Sequence, residues 1–411
     1  MDLFRNILRF PAIVMALLTL MCACDFGEDE PELPSEPTEP VGRSVLVYMV
    51  ANNSLGSSSV PGADERGYDR ADLKEMVAGA KSGALGNNRL IVYHHAWLSE
   101  PRLIEITAAG ERVIKVYDTE DSSVSAARMN CVISDFKATA PADSYGLVLW
   151  SHASGWLETG INEDTEGAGR LKSFGVDRSK EMNVTTLARV LDGKGFDYVY
   201  FDCCHMAGVE VAYQLRNVTG MMAGSVSELP SPGMPYDRTL PYLMADNADL
   251  TGAASTTFAY YNTLKDEFYR TCTISVISME AIDELADAVG ELCDLHPELR
   301  AGYEGQRFVK NNCRYYDLLH YLGGLAENGG GDEFEQAYSR CEAAIRKAVV
   351  YEAATPYLWE GDITEVKIDT HCGLSTYIKR SADDGDRYGY DRLDWWQDVM
   401  SRMWGEYGPE Q

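Results

Sequence analysis

Hydrophobic positions along this chain fall into two rhythms. SVLVYMV (Ser44–Val50), RLIVYHH (Arg89–His95), SYGLVLWSH (Ser144–His152) and FDYVYFDC (Phe196–Cys203) are short, nearly continuous apolar runs. That is the pattern of strands buried on both faces of a parallel sheet. Between them, DLKEMVAGA (Asp72–Ala80), residues 123–138 and VTTLARVLDG (Val184–Gly193) space their apolar residues as helices do, and MAGVEVAYQL (Met206–Leu215) predicts another helix. RLIEIT and ERVIKVY predict a hairpin, while TGMMAGSVSE and CTISVISM predict a fifth and a sixth buried strand. This alternation argues for an α/β fold, a mainly parallel sheet with helices on both faces.

Past residue 280 the rhythm turns helical, in AIDELADAVGELCDLH, FEQAYSRCEAAIRKAVVYEA and RLDWWQDVMSRMW. A late strand pair is expected from ITEVKID and GLSTYI. Residues 281–411 therefore read as a more helical C-terminal subdomain packed on the sheet.

The N-terminus follows neither rhythm. Arg5 and Arg9 precede AIVMALLTLM (Ala12–Met21), an apolar run too short to span a bilayer comfortably and suited to a secretory signal. MCAC resembles a bacterial lipobox, with Ala23 before Cys24, so residues 1–23 read as a lipoprotein signal peptide and Cys24 as the lipidated first residue. DFGEDEPELPSEPTEP follows. It is too acidic and proline-rich to bury a core, and it makes residues 24–42 an extended tether. The location this implies is the bacterial cell envelope, lipid-anchored at the outer membrane or cell surface.

Charge narrows the functions open to the chain. With 64 Asp and Glu against 36 Lys and Arg, the net charge over 411 residues is −28. No basic face is available for phosphate, which excludes nucleic acid as a partner. The ten cysteines show neither a CxxC pair nor zinc-finger spacing. Most are expected to be buried thiols acting as small hydrophobes.

Reactive side chains stand at two strand ends. One strand closes on His152 and the next on Cys203 and Cys204, with enough chain between them for a loop and one crossover helix. Functional groups of an open parallel sheet gather beyond the carboxyl ends of its strands. Neighbouring strands lie about 4.8 Å apart, so a histidine and a cysteine at such ends can meet. A thiol of pKa near ~8.5 needs a base or a favourable dipole to become a nucleophile. The helix expected from Met206 would supply a dipole. Successive side chains of an extended strand point to opposite faces. Cys203 and Cys204 therefore separate, and Cys203, Cys204 and His205 are a poor metal site.

LWSHASGW (Leu149–Trp156) and YFDCCHMAGVEVAYQL (Tyr200–Leu215) resemble the two motifs of the clostripain-like cysteine peptidases, the C11 family of the caspase–gingipain–legumain clan. VLVYMVANNSL, SELPSPGMPYD and CGLSTYI resemble softer segments of the same family. The resemblance implies a caspase-like peptidase core over residues 43–280, with His152 and Cys204 as catalytic dyad. It implies Asp202, and secondarily Glu228, as acids that receive an Arg or Lys before the cut. Backbone amides of Ala153 and Cys204 would form the oxyanion hole. Ala153 stands where glycine is common, His205 where an apolar residue is usual, and Met234-Pro235 replaces a frequent Gly-Trp. The bland role for Asp202 is a helix cap or a loop hydrogen bond.

The resemblance also implies protein or peptide substrates and no obligatory cofactor, and a monomer is expected. Calcium is permitted by the acidic loops, although no EF-hand pattern is present. Arg170, Lys172, Arg178 and Lys180, in the polar segment 162–182, are candidate self-cleavage points or simply parts of a surface loop. The competing reading is a catalytically inactive caspase-like binding lipoprotein.

Overall fold

Val45 to Val50 send alternate side chains into two separate cores. Leu46, Tyr48 and Val50 pack on one side of the sheet, and Val45, Val47 and Met49 on the other. A strand covered on both faces has no polar face to present, which is why this segment reads as an unbroken apolar run. The computed structural model describes residues 40–61, 66–157, 173–296, 305–309, 315–360, 364–379 and 389–404. The segment read as a signal peptide (1–23), and nearly all of that read as a tether (24–42), lie outside these residues.

Among the described residues nine strands form one sheet. They are β1 (Val41–Val50), β2 (Arg89–His95), β3 (Arg102–Thr107), β4 (Gly110–Val116), β5 (Ala142–Trp150), β6 (Phe196–Asp202), β7 (Thr219–Gly224), β8 (Thr273–Ser278) and β9 (Val349–Ala354). Their order is β9-β8-β7-β6-β5-β1-β2-β3-β4. The five central strands, β7 to β2, are parallel. Antiparallel pairs close both edges, β2–β3–β4 on one side and β7–β8–β9 on the other.

The helices Ala126–Thr139, Val184–Leu191 and Ile282–Cys293 bury their apolar stripes in the Leu46 core. Those at Tyr68–Lys81, Tyr236–Leu243 and Leu250–Asn262 fill the Val45 core. The last two are not predicted by the hydrophobic pattern. Pro241 sits inside the first, and LTGAASTTFAYYN has no charged face to set against its apolar one. The readable signal for the second was its cap, where Asp249 accepts from the Gly252 N–H at 2.7 Å.

The chain after residue 280 shares the core of the sheet. Ile282, Leu285, Leu322, Ile345 and Trp395 belong to the same cluster as Leu46, and Val349–Ala354 returns as edge strand β9. The late strands are arranged differently from the expectation. Thr364–Lys367 pairs with Tyr357–Glu360, and Ser375–Thr376 pairs with Tyr316–Asp317, so ITEVKID and GLSTYI do not pair with each other. GLSTYI instead docks beside the segment that follows the paired cysteines, with the Ser375 N–H donating to the Ala207 carbonyl at 3.0 Å. All seven described cysteines are free thiols. Cys203, Cys272, Cys293 and Cys341 are buried, as small hydrophobes should be.

Gly146 of β5 marks how tightly the centre is packed: a Cβ there would lie 2.2 Å from the Tyr198 ring of β6. Gly146→Ala is expected to cost about 1–3 kcal/mol by overpacking. Gly220→Ala on β7, where the nearest neighbour is the Asp197 carbonyl at 3.4 Å, should cost much less. Urea denaturation midpoints of the two variants check this.

Candidate active site

The pairing of β5 with β6 runs in register from Gly146–Tyr198 to Trp150–Asp202. His152 and Cys204 each lie two residues beyond that last pair, so the parallel register brings them out at the same level of the carboxyl edge. The chain bends after Asp202 and continues through Met206 and Ala207 into a helix, Val209–Gln214. This helix was expected from Met206. It begins five residues past Cys204 and spans six residues, too short and too late in the chain to act as a dipole on the thiol.

The neighbouring cysteines are separated by this geometry. Cys203 is buried in the Leu46 core with its thiol 3.6 Å from the Leu149 carbonyl, and burial raises its pKa well above the usual thiol range. Cys204 is half-buried, and its sulfur accepts from the Leu229 N–H at 3.4 Å. A buried thiol that resists ionisation is no nucleophile, whereas a half-exposed sulfur contacting a backbone N–H can be one.

His152 is also half-buried, and its Nε2 lies 2.7 Å from the Ser54 hydroxyl. No third partner for this histidine is readable from the sequence; in the structure the Ser54 hydroxyl contacts it. Ser54 stands just past β1, in a stretch whose side chains tie the loops of this edge together. The Asn53 amide donates to the carbonyls of Val50 and Val176, at 2.9 and 2.7 Å, and to the Ser151 hydroxyl at 3.3 Å. Asn52 accepts the N–H of Leu98 on its side chain and that of Arg178 on its carbonyl, and donates to Asp177. Leu98 and Arg178 both adopt left-handed backbone angles (φ 52° and 58°), and these bonds hold them there.

His205, which stands where an apolar residue is usual, joins the loop after Cys204 to the loop after His152. Its ring stacks on Tyr315 with centroids 4.1 Å apart, and the Tyr315 hydroxyl donates to the Ser154 carbonyl at 2.9 Å. Its own carbonyl presses on Gly155, where a Cβ would sit 2.7 Å away and where φ is +69°. Only glycine meets both demands. Burial pushes the His205 imidazole down to about 4, so it is neutral at physiological pH. Cys203, Cys204 and His205 thus have three different sets of neighbours. Ala153 fits the turn with its methyl buried in the core and bridges to Phe174.

Asp202 is buried and already holds two donors, the Met234 N–H and the Tyr236 hydroxyl, each at 3.0 Å. The loop hydrogen bond anticipated for it is therefore present. Gly233 lies against the carboxylate, where a Cβ would come within 2.9 Å. Burial pushes Asp202 up to about 6 despite these bonds. Two more acids, not anticipated, stand with it. The Tyr236 N–H donates to Glu75 at 3.0 Å, and Trp150 Nε1–H donates to Asp72 at 2.6 Å. Burial and the nearby Asp202 raise Asp72, and burial carries Glu75 to about 7. Helical spacing puts Asp72 and Glu75 on one face, but nothing in the sequence says that this face turns toward Asp202. Glu228 is exposed, directly before Leu229.

A sequence model of the Clostripain family matches residues 47–355. Among solved structures the chain is similar to an inactive zymogen C11 protease from Parabacteroides distasonis (28% identity, 88% of this chain and 99% of that one, TM-score 0.73). It is also similar to a secreted C11 cysteine protease from Bacteroides thetaiotaomicron in complex with an irreversible peptide inhibitor (28% identity, 87% and 99%, TM-score 0.72). A second secreted C11 cysteine protease from Bacteroides thetaiotaomicron, at 21% identity over 89% and 99%, shares the fold with a TM-score of 0.71. A comparison with curated proteins finds no match.

Proposed function

The chain belongs to the clostripain family and is a cysteine peptidase of caspase-like fold, and from that premise we propose that it cuts with a Cys204–His152 dyad after Arg or Lys. The observation that carries this reading is the β5–β6 register, which brings His152 and Cys204 out together while Cys203 is turned into the core. In this reading the Cys204 thiolate attacks the scissile carbonyl, and the backbone N–H groups of Ala153 and Cys204 receive the oxyanion. The C–N bond then breaks, the leaving amine takes a proton from His152, and a thioester remains on Cys204. Water attacks the thioester, returns its proton through His152 and regenerates the thiol.

Specificity for a basic residue is supported by the acids Asp72, Glu75 and Asp202. They are gathered around Tyr236, and burial raises all three. A guanidinium or ammonium entering beside them relieves both their desolvation and their mutual repulsion. Glu228 is the secondary acid.

Of the candidate self-cleavage points, Arg178 sits in the tight turn between the strands Phe174–Asp177 and Lys180–Met182, and Lys180 opens the second of them. The Arg178 N–H is held by Asn52. An active-site cleft needs an extended backbone, so this hairpin is a poor substrate. Arg170 and Lys172 lie outside the described residues.

The N-terminal segment supports a second part of the proposal, a lipid anchor on Cys24 at the cell envelope with the acidic tether holding the peptidase away from the membrane. Mass spectrometry of the mature protein should find residues 1–23 removed and a lipid on Cys24; an unmodified N-terminus elsewhere would refute the anchor.

Cys204→Ala is expected to lower peptide hydrolysis by at least about 10³-fold, with Cys203→Ala keeping most of the activity. Equal losses for the two would sink the assignment. For substrates with Arg before the cut, kcat/KM should rise with pH through about 6 as Asp202 ionises. Asp202→Asn should flatten that rise and reduce the preference for Arg over a neutral residue by about 10- to 100-fold. A positional-scanning peptide library read at pH 5 and pH 7.5 measures both.

A further inference from the structure

The dyad reading leaves one question of orientation open: which imidazole nitrogen of His152 handles the proton, and what keeps the ring turned that way. We propose that Ser54 is a positioning residue for His152, holding Nε2 so that Nδ1 is the nitrogen that exchanges protons at the reacting centre. This inference rests on the dyad reading of the same site. Its geometric basis is the 2.7 Å contact between the Ser54 hydroxyl and His152 Nε2.

Ser54 is held firmly enough to do this. It opens a one-turn helix, Ser54–Ser57, capped by the Asn53 side chain, which accepts from the Leu55 N–H at 2.8 Å. The Ser54 carbonyl accepts from the N–H and the hydroxyl of Ser58, at 3.0 and 2.6 Å. A Cβ at Gly56 would fall 2.1 Å from the Ala51 carbonyl, so this turn is pressed directly onto the end of β1. Asn53 ties the turn to Ser151, the residue before the histidine, and the His152 carbonyl accepts from the Gly175 N–H at 2.9 Å. The backbone is fixed on both sides of the contact. The remaining freedom is rotation of the ring about its own side-chain bonds, and the Ser54 hydroxyl restricts it.

A hydroxyl suits this place chemically. It both donates and accepts, so it can bind Nε2 whether that nitrogen carries a proton or a lone pair. In the cycle Nδ1 takes the proton of the Cys204 thiol and gives it to the amine nitrogen as the C–N bond breaks. The Ser54 proton stays on its oxygen throughout. A carboxylate in the same place would stabilise the imidazolium and raise its pKa, making it a weaker acid toward the leaving amine.

The test uses the full mature chain and measures kcat, KM and the pH profile for an Arg-containing peptide. It adds the rate at which a peptidyl-Arg acyloxymethyl ketone labels Cys204. Ser54→Ala should lower kcat by about 10- to 100-fold with KM little changed, and Ser54→Thr should restore most of the loss. Ser54→Asp should move the acidic limb of the pH profile upward. Because the hydroxyl is exposed, melting temperatures should stay close to wild type. In a His152→Ala background, Ser54→Ala should slow labelling no further, since its effect runs through the ring.

Wild-type kcat and pH profile in Ser54→Ala, or an equal slowing of labelling with and without His152, would overturn the proposal. A failure of the dyad itself is seen separately: a Cys204→Ala form that still cleaves overturns that reading, whatever the Ser54 variants do.

Discussion

Everything at the active edge depends on burial of the central strands on both faces. Because β1, β5 and β6 alternate between two cores, each strand has one register in which every side chain is accommodated. A slip of one residue in β6 would send Val199, Phe201 and Cys203 toward the Val45 core and Tyr198, Tyr200 and Asp202 toward the other. It would also bring Cys203 to the level of His152. The same packing that hides the strands therefore decides which of two adjacent thiols emerges and which remains a core side chain.

Beyond the strand ends the fold changes from hydrophobic packing to hydrogen bonding. Backbone groups that leave a sheet must find partners or water. Here Asn52 and Asn53 take up the carbonyls and N–H groups of three surrounding segments and the Ser151 hydroxyl of a fourth. This lets loops from β1, β2 and β5 and the hairpin at 174–182 converge without regular structure. The loops after His152 and Cys204 are joined in turn through Gly155, His205 and Tyr315.

Charge within this frame is placed where water is scarce. Asp202 and Glu210 are both buried, and burial raises their pKa values to about 6 and about 7. Glu210 accepts the Tyr377 N–H at 2.8 Å and the Thr376 hydroxyl at 2.9 Å, pinning the CGLSTYI segment behind the thiol loop. Folded-state pKa values above the unfolded ones favour the native state at low pH. That contribution is lost as pH rises from the unfolded carboxyl range, roughly 4, through the folded values of about 6 and about 7. Keeping such acids inside a fold of net charge −28 costs stability at neutral pH.

Much was legible in the sequence. Continuous apolar runs identified the central strands, since two-sided burial leaves no polar position. Adjacent residues on a strand must diverge, so Cys203 and Cys204 could be told apart. The motifs around His152 and Cys204 pointed to the family. The tertiary structure alone decided what converges from distant segments: Ser54 on His152, Asp72 and Glu75 beside Asp202, Tyr315 on His205, and the docking of Ser375 at Ala207. Local patterns record what a residue needs along its own strand or helix. These contacts join residues roughly 90 to 170 positions apart and depend on how whole elements pack, which no single stretch of the chain encodes.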